Sequence, residues 1–303
     1  MRVNRRDVLA GAASITATLL APGANAQATA PLRRPIPSSG EQIPVLGLGT
    51  ARRYDVRSDS ALPPLRDTLK TFQQVGCSVI DTAPVYGTAE PTVGKLVAGL
   101  GIRDRLFLAT KVSTSGRESG VRQIEQSFKS LDTAKIDLIA VHNLRDTQVH
   151  LATLRDLKQA GRIRYIGITT SFDGQREAFA DVMGKEKLDF IQIDYALDNR
   201  GAADRILPLA RERGMAVMIN LPFGRGRLFA ATKGKALPSW ASEFDCASWA
   251  QFFLKYILAQ EAVTCIIPGM AKPEYVVDNV AAARGRLPDA AMCRRMETLV
   301  ETL

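Results

Sequence analysis

Short apolar runs alternate along this chain with longer segments whose apolar residues return at helical spacing. The short runs fall at 45–49, 78–82, 106–112, 137–142, 163–168, 190–194, 215–219 and 265–268, which makes eight candidate buried strands. Helix-period segments lie between them, among them 65–74, 121–131, 151–160 and 202–213, and glycines at 76, 161 and 214 stand where such helices end. Ahead of the first run, Pro31, Pro35 and Pro37 precede Ser38-Ser39-Gly40-Glu41, a turn signal between short apolar segments. Repeated strand-helix units imply a parallel sheet, and eight of them close it. The pattern therefore predicts an α/β fold, a (β/α)8 TIM barrel with an N-terminal β-hairpin and a C-terminal extra helix. The longest interruption, 225–242, reads as a loop over the barrel mouth. An open doubly wound sheet loses its usual support, since Gly47-Leu48-Gly49 and Gly224-Arg225-Gly226 both lack the third glycine of a dinucleotide turn.

Composition refines this picture at the N-terminus. Arg5 and Arg6 precede a mildly apolar run from Val8 to Ala21, and Ala24-Asn25-Ala26 supplies small residues for cleavage. The run is too short for a membrane span, which needs about 20 apolar residues. It resembles a twin-arginine export signal, so residues 1–26 are expected to be a leader and 27–303 one barrel domain. That predicts a periplasmic protein carried out folded, with the export machinery as its partner in transit and no membrane partner once the leader is removed. The 303 residues carry a formal charge of +9, but no basic run or basic-aromatic stripe accompanies it, so nucleic acid is not an expected partner. With two histidines and no CxxC pair among four cysteines, no metal is predicted. Cys77, Cys246, Cys265 and Cys293 allow three complete pairings, and their apolar neighbours favour four buried free thiols.

Four residues stand at or just beyond the C-terminal ends of predicted strands, the face on which barrel active sites are built. They are Asp81, Tyr86, Lys111 and His142. Hydride reduction of a carbonyl needs a proton donor for the oxygen, and a tyrosine beside a lysine cation suits that role, the cation lowering the phenol pKa. Asp81 would hold Lys111 charged, and His142 would hydrogen-bond the substrate oxygen.

The surroundings of these residues resemble the aldo-keto reductase family over nearly the whole chain after the leader. Ile80-Asp81-Thr82-Ala83-Pro84-Val85-Tyr86-Gly87, with Glu90 and Gly94 following, is similar to the family's Asp-Thr-Ala...Tyr-Gly segment. Ala109-Thr110-Lys111-Val112 resembles its lysine strand, and Asp137-Leu138-Ile139-Ala140-Val141-His142-Asn143 its histidine strand. The resemblance implies an Asp-Tyr-Lys-His tetrad and a nicotinamide cofactor. On the cofactor side it points to Gly49, Thr50, Thr169, Thr170 and Gln192, with Thr170 where many members carry Asn. It also points to Asn220, Pro222, Phe223 and Gly224, where Asn220 replaces an aromatic that often stacks on the nicotinamide. Gly269, Lys272, Asp278 and Asn279 resemble the phosphate and adenine segment. Tyr275 stands where NADPH-selecting members often have arginine, so Lys272 is the cation expected at a 2′-phosphate, favouring NADPH over NADH. The expected function is NAD(P)H-dependent reduction of small aldehydes, ketones or sugars; the alternative is a nicotinamide-binding sensor subunit with vestigial catalysis. Tyr54, Trp240 and Phe244 are candidate substrate-pocket walls.

Overall fold

Strands covered on both faces carry apolar residues at every position, and alternation then separates an inner set from an outer one. A computed structural model describes residues 30–303, so the expected leader, 1–26, lies outside the described residues. Eight parallel strands form the sheet: β3 (Leu48–Gly49), β4 (Val79–Asp81), β5 (Phe107–Val112), β6 (Ile136–His142), β7 (Ile163–Thr169), β8 (Phe190–Asp194), β9 (Ala216–Asn220) and β10 (Val263–Ile266). Neighbours in sequence are neighbours in the sheet, and the bridges Leu46↔Ile266 and Gly49↔Gly269 join its two edges. A side chain at position 49 would bring its Cβ to 2.7 Å from the Ile267 carbonyl oxygen, so the closure itself requires glycine there.

The preceding hairpin, β1 (Arg33–Pro35) and β2 (Gln42–Pro44), is antiparallel. It carries Ile36 and Ile43 into one apolar cluster with Val79, Phe107, Leu138, Tyr165, Phe190 and Met218. That cluster is the barrel interior, and the hairpin fills one end of it. The opposite strand face (Ile80, Leu108, Ile139, Ile168, Ile191, Val217) packs into the larger cluster shared with the surrounding helices. These are α1 (Leu62–Gln74), α2 (Ala89–Leu100), α3 (Arg117–Ser130), α4 (Thr147–Gln159), α5 (Arg176–Lys185), α6 (Ile206–Glu212), α7 (Arg227–Ala231), α8 (Trp249–Leu258) and α9 (Pro273–Ala281). The extra helix α10 (Ala290–Glu301) follows, its N-terminus capped by Asp289, which accepts from the Met292 N–H at 2.8 Å.

Three expectations change. The segment 225–242 is not a continuous loop, because it contains α7 and enters a 3-10 turn, Ser239–Phe244. Trp240 and Phe244 pack at a tilt against Phe252 of α8 and Arg295 of α10 lies 4.2 Å from the centre of the indole, so these aromatics pack between helices instead of walling a pocket. The four cysteines are free thiols, but Cys293 is only half-buried, since α10 lies on the outside of the barrel.

The barrel wall tolerates no side chain at Gly167 of β7, where a Cβ would sit 2.6 Å from the Phe190 carbonyl oxygen. Gly167→Ala is expected to destabilise the fold by about 1–3 kcal/mol, read as a lower urea midpoint; an unchanged midpoint would show that β7 and β8 can separate without cost.

Candidate functional site

Side-chain alternation fixes what faces the mouth. Val79, Ala109, Leu138, Tyr165, Phe190 and Met218 belong to the interior cluster, so residues two or four positions further along the same strands point inward near their C-terminal ends. Those residues are Asp81, Lys111, His142, Thr169, Gln192 and Asn220. These residues therefore form one ring, each at or near the last inward position of its strand, with Asp194 sharing the parity of Gln192 at the end of β8.

Lys111 is the centre of this ring. Its side chain is 2% exposed, and Nζ donates to Asp81 Oδ1 and Oδ2, both at 2.8 Å, and to the Thr82 carbonyl oxygen at 2.7 Å. Burial is the largest single influence on the ammonium and would lower its pKa, but the charges of Asp81 and Tyr86 and the hydrogen bonds to them together outweigh it and hold Lys111 above its ordinary value. Burial likewise pushes the Asp81 carboxyl up, and Lys111 and Gln192 draw it back. Both carboxylate oxygens accept from one ammonium, so we treat the pair as ionised. Below it, Thr50 Oγ1 donates to the Asp81 carbonyl oxygen at 3.0 Å. Behind β5, buried Glu90 of α2 accepts from Thr110 Oγ1 at 2.6 Å and Ser127 Oγ at 3.2 Å, which ties α2 and α3 to the lysine strand.

Tyr86 comes from the loop that follows β4. The Lys111 ammonium lies 5.1 Å from the centroid of its ring, and the ring meets His142 edge-on with centroids 6.2 Å apart. Contrary to the expectation from sequence, the phenol pKa is raised: burial dominates, and Lys111 only partly offsets it. The resting tyrosine is accordingly a protonated phenol. His142 moves the other way, pushed down to about 3 by burial and by the Lys111 and Arg145 cations, so it is a neutral imidazole. Its Nδ1 lies 2.6 Å from Ser113 Oγ. Sequence reading did not single out Ser113, although it stands two residues beyond Lys111 and shares its parity.

The cofactor candidates divide. Gly49 and Gly269 meet across the barrel seam without side chains, and Asn220 Oδ1 is buried with no partner among the described residues. Thr169 and Gln192 are buried in the ring, Gln192 Nε2 lying 3.8 Å from Met218 Sδ. Thr170 Oγ1 donates to Gln175 Oε1 at 2.6 Å. Beyond them a cavity of about 520 Å³ is lined by Asp194, Asn199, Leu221, Gly224 and Arg225, among others. Pro222 is buried, and Phe223 packs on Phe229, centroids 4.8 Å apart. Asp278 has both oxygens committed to the start of α8, accepting from Ser248 Oγ at 3.0 Å and Gln251 Nε2 at 2.7 Å, with Asn279 buried beside it. Lys272 is exposed, 3.7 Å from Glu274. Arg225, held at φ 56° beside Gly224, was missed as a site residue, yet its charge acts on Tyr86. Tyr54 is fully buried and its hydroxyl has no partner among the described residues, and its burial removes it from any pocket wall.

Because the folded pKa of His142 lies near 3 and the ordinary value is 6.5, the unfolded chain binds its proton first as pH falls. Its contribution to stability is complete above 6.5 and is lost on the way down to 3. Urea unfolding of wild type and His142→Gln at neutral and mildly acid pH should show a smaller acid loss in the variant; equal losses would mean that the imidazole is not held neutral.

The chain was also compared with known proteins. The model of the aldo/keto reductase family matches residues 45–299. An aldo-keto reductase of Strobilurus tenacellus is 26% identical over 262 residues, covering 73% of this chain and 76% of that protein. A methylglyoxal reductase of Escherichia coli is 26% identical over 262 residues, covering 84% and 90%. The crystal structure of an aldo/keto reductase from Klebsiella pneumoniae in complex with NADP and acetate superposes with a TM-score of 0.74 at 25% identity, covering 86% of this chain and 93% of that one. A family match spanning the whole barrel, on a chain that assembles Asp81, Tyr86, Lys111 and His142 at its mouth, leaves one assignment: this chain belongs to the aldo/keto reductase family.

Proposed function

We propose that this protein reduces the carbonyl group of an aldehyde, ketone or sugar with NADPH, using Tyr86 as the proton donor. The observation that carries the reading is the Lys111 ammonium, buried against Asp81 and lying beside the Tyr86 ring, with neutral His142 at its edge. NADPH, when bound, supplies the hydride that reaches the carbonyl carbon. Tyr86 gives its phenolic proton to the oxygen as negative charge develops there. The phenolate left behind lies near a fixed cation, so the Lys111 charge is worth most at the moment the proton leaves. Asp81 keeps that cation charged and in place. Being neutral, His142 has one N–H to donate to the same oxygen and adds no positive charge that would compete with Lys111.

The mouth suits a nicotinamide cofactor. Asn220 Oδ1 is buried without a donor among the described residues, and exposed Gly269, bridged to half-buried Gly49, presents backbone without a side chain where a ribose or phosphate can approach. We assign Gly49, Thr50, Thr169, Thr170, Gln192, Asn220, Pro222, Phe223, Gly224, Gly269, Lys272, Asp278 and Asn279 to holding it. NADP in the Klebsiella pneumoniae relative supports the phosphorylated form. Here Lys272 would exchange its exposed pair with Glu274, itself worth little, for a 2′-phosphate. NADH is the weaker candidate because it offers Lys272 no such group.

We also propose that residues 1–26 are a twin-arginine leader, that 27–303 are the working domain, and that the enzyme acts in the periplasm with its cofactor loaded before export. The support is the order of Arg5-Arg6, apolar run and Ala24-Asn25-Ala26 in the sequence.

Tyr86→Phe is expected to bind NADPH as wild type does while turnover with a panel of aldehydes and ketones falls by about 10² to 10⁴. Tight binding without turnover in the wild type would instead point to a sensor subunit. For the leader, mass spectrometry of the exported protein should find Gln27 at its N-terminus, and replacing Arg5 and Arg6 by Lys together should leave the protein in the cytoplasm; export unaffected by that change would rule out the twin-arginine route.

A further inference from the structure

The mechanism asks His142 to donate a hydrogen bond, and a neutral imidazole does so only from the nitrogen that carries its proton. Its Nδ1 is engaged by Ser113 Oγ at 2.6 Å, while Nε2 makes no hydrogen bond among the described residues. The Ser113 hydroxyl has no other partner among those residues, so of the protein groups described only Nδ1 is placed to accept its proton. A ring that accepts at Nδ1 keeps its proton at Nε2.

We propose that Ser113 is a positioning residue which, by donating to Nδ1, fixes His142 as the Nε2–H tautomer and thereby makes it a donor to the substrate oxygen. This rests on the reductase reading for its catalytic consequence, but the tautomer is a property of the protein alone.

Ser113 is itself held from several sides. Its backbone N–H donates to Gln123 Oε1 of α3 at 2.6 Å. One residue on, the Thr114 carbonyl oxygen lies 2.7 Å from His150 Nε2, and the Gly116 N–H donates to Asp146 Oδ2 at 2.7 Å. A carbonyl only accepts, so His150 must carry its proton on Nε2. The fully buried His150 ring reaches that carbonyl because Gly120 has no side chain: a Cβ there would lie 2.5 Å from the ring. The loop after β5 is thus clasped to α3 and to the start of α4, and the hydroxyl is set against Nδ1 before any ligand arrives.

The two histidines of this chain make the test direct, because ring ¹⁵N spectra of histidine-labelled enzyme contain two imidazoles only. In the wild type at neutral pH, His142 should show a protonated Nε2 and an unprotonated, hydrogen-bonded Nδ1. In Ser113→Ala, His142 should become a tautomer mixture and kcat fall about tenfold, with NADPH affinity and the His150 signals unchanged. The conservative Ser113→Thr variant should restore both the single tautomer and the rate. A protonated Nδ1 in the wild type, or a Ser113→Ala enzyme with the same tautomer and the same kcat, would overturn the proposal. Unmodified enzyme that reduces no carbonyl would overturn the reductase reading only; the ring spectra would still decide the role of Ser113.

Discussion

A lysine ammonium shut away from water must be neutralised by its surroundings or surrender its charge. Lys111 is neutralised, and much of the barrel's design serves that end. Three oxygens converge on Nζ, two from the Asp81 carboxylate and one from the Thr82 backbone. They reach it because β4 and β5 run side by side, with Asp81 opposite Ala109. The same charge then orders its neighbours electrostatically: it restrains the rise of the Tyr86 pKa and helps depress that of His142. The buried cation keeps the Asp81 carboxylate ionised and, with burial, the His142 imidazole uncharged, while burial holds Tyr86 as a phenol against the pull of the same charge.

Much of this was legible in the sequence, and the parts that were not have physical reasons. Strand β8 occupies the residues read for it, and β6 differs by one residue, because fully buried parallel strands are unbroken apolar runs. The last strand is displaced toward the N-terminus, to Val263–Ile266, since Pro268 has no N–H to give the ladder. The tetrad was visible because strand parity and chain position suffice to bring Asp81, Lys111 and His142 to one end. Ser113 escaped because the strand was read as ending at Val112, although the inward alternation continues one residue further. The sign of the Tyr86 shift was misjudged for a different reason: sequence shows which charges are near but not how much water has been excluded, and exclusion won. Trp240 and Phe244 show the same limit, their helical partners lying on α8 and α10.

The hairpin that fills the barrel floor has a consequence for how the molecule is made. Leu32 donates its N–H to the Ala283 carbonyl, and Arg34 reaches the Gln260 carbonyl across 226 positions of sequence. The bridge from Leu46 to Ile266 completes the sheet over a similar span. The earliest described residues thus find their partners at Gln260, Ile266 and Ala283, far along the sequence. The floor and the seam, and with them the Gly49–Gly269 edge of the mouth, therefore close only once residues 260–283 are available, and the non-local contacts that complete the barrel carry the largest loop-closure cost.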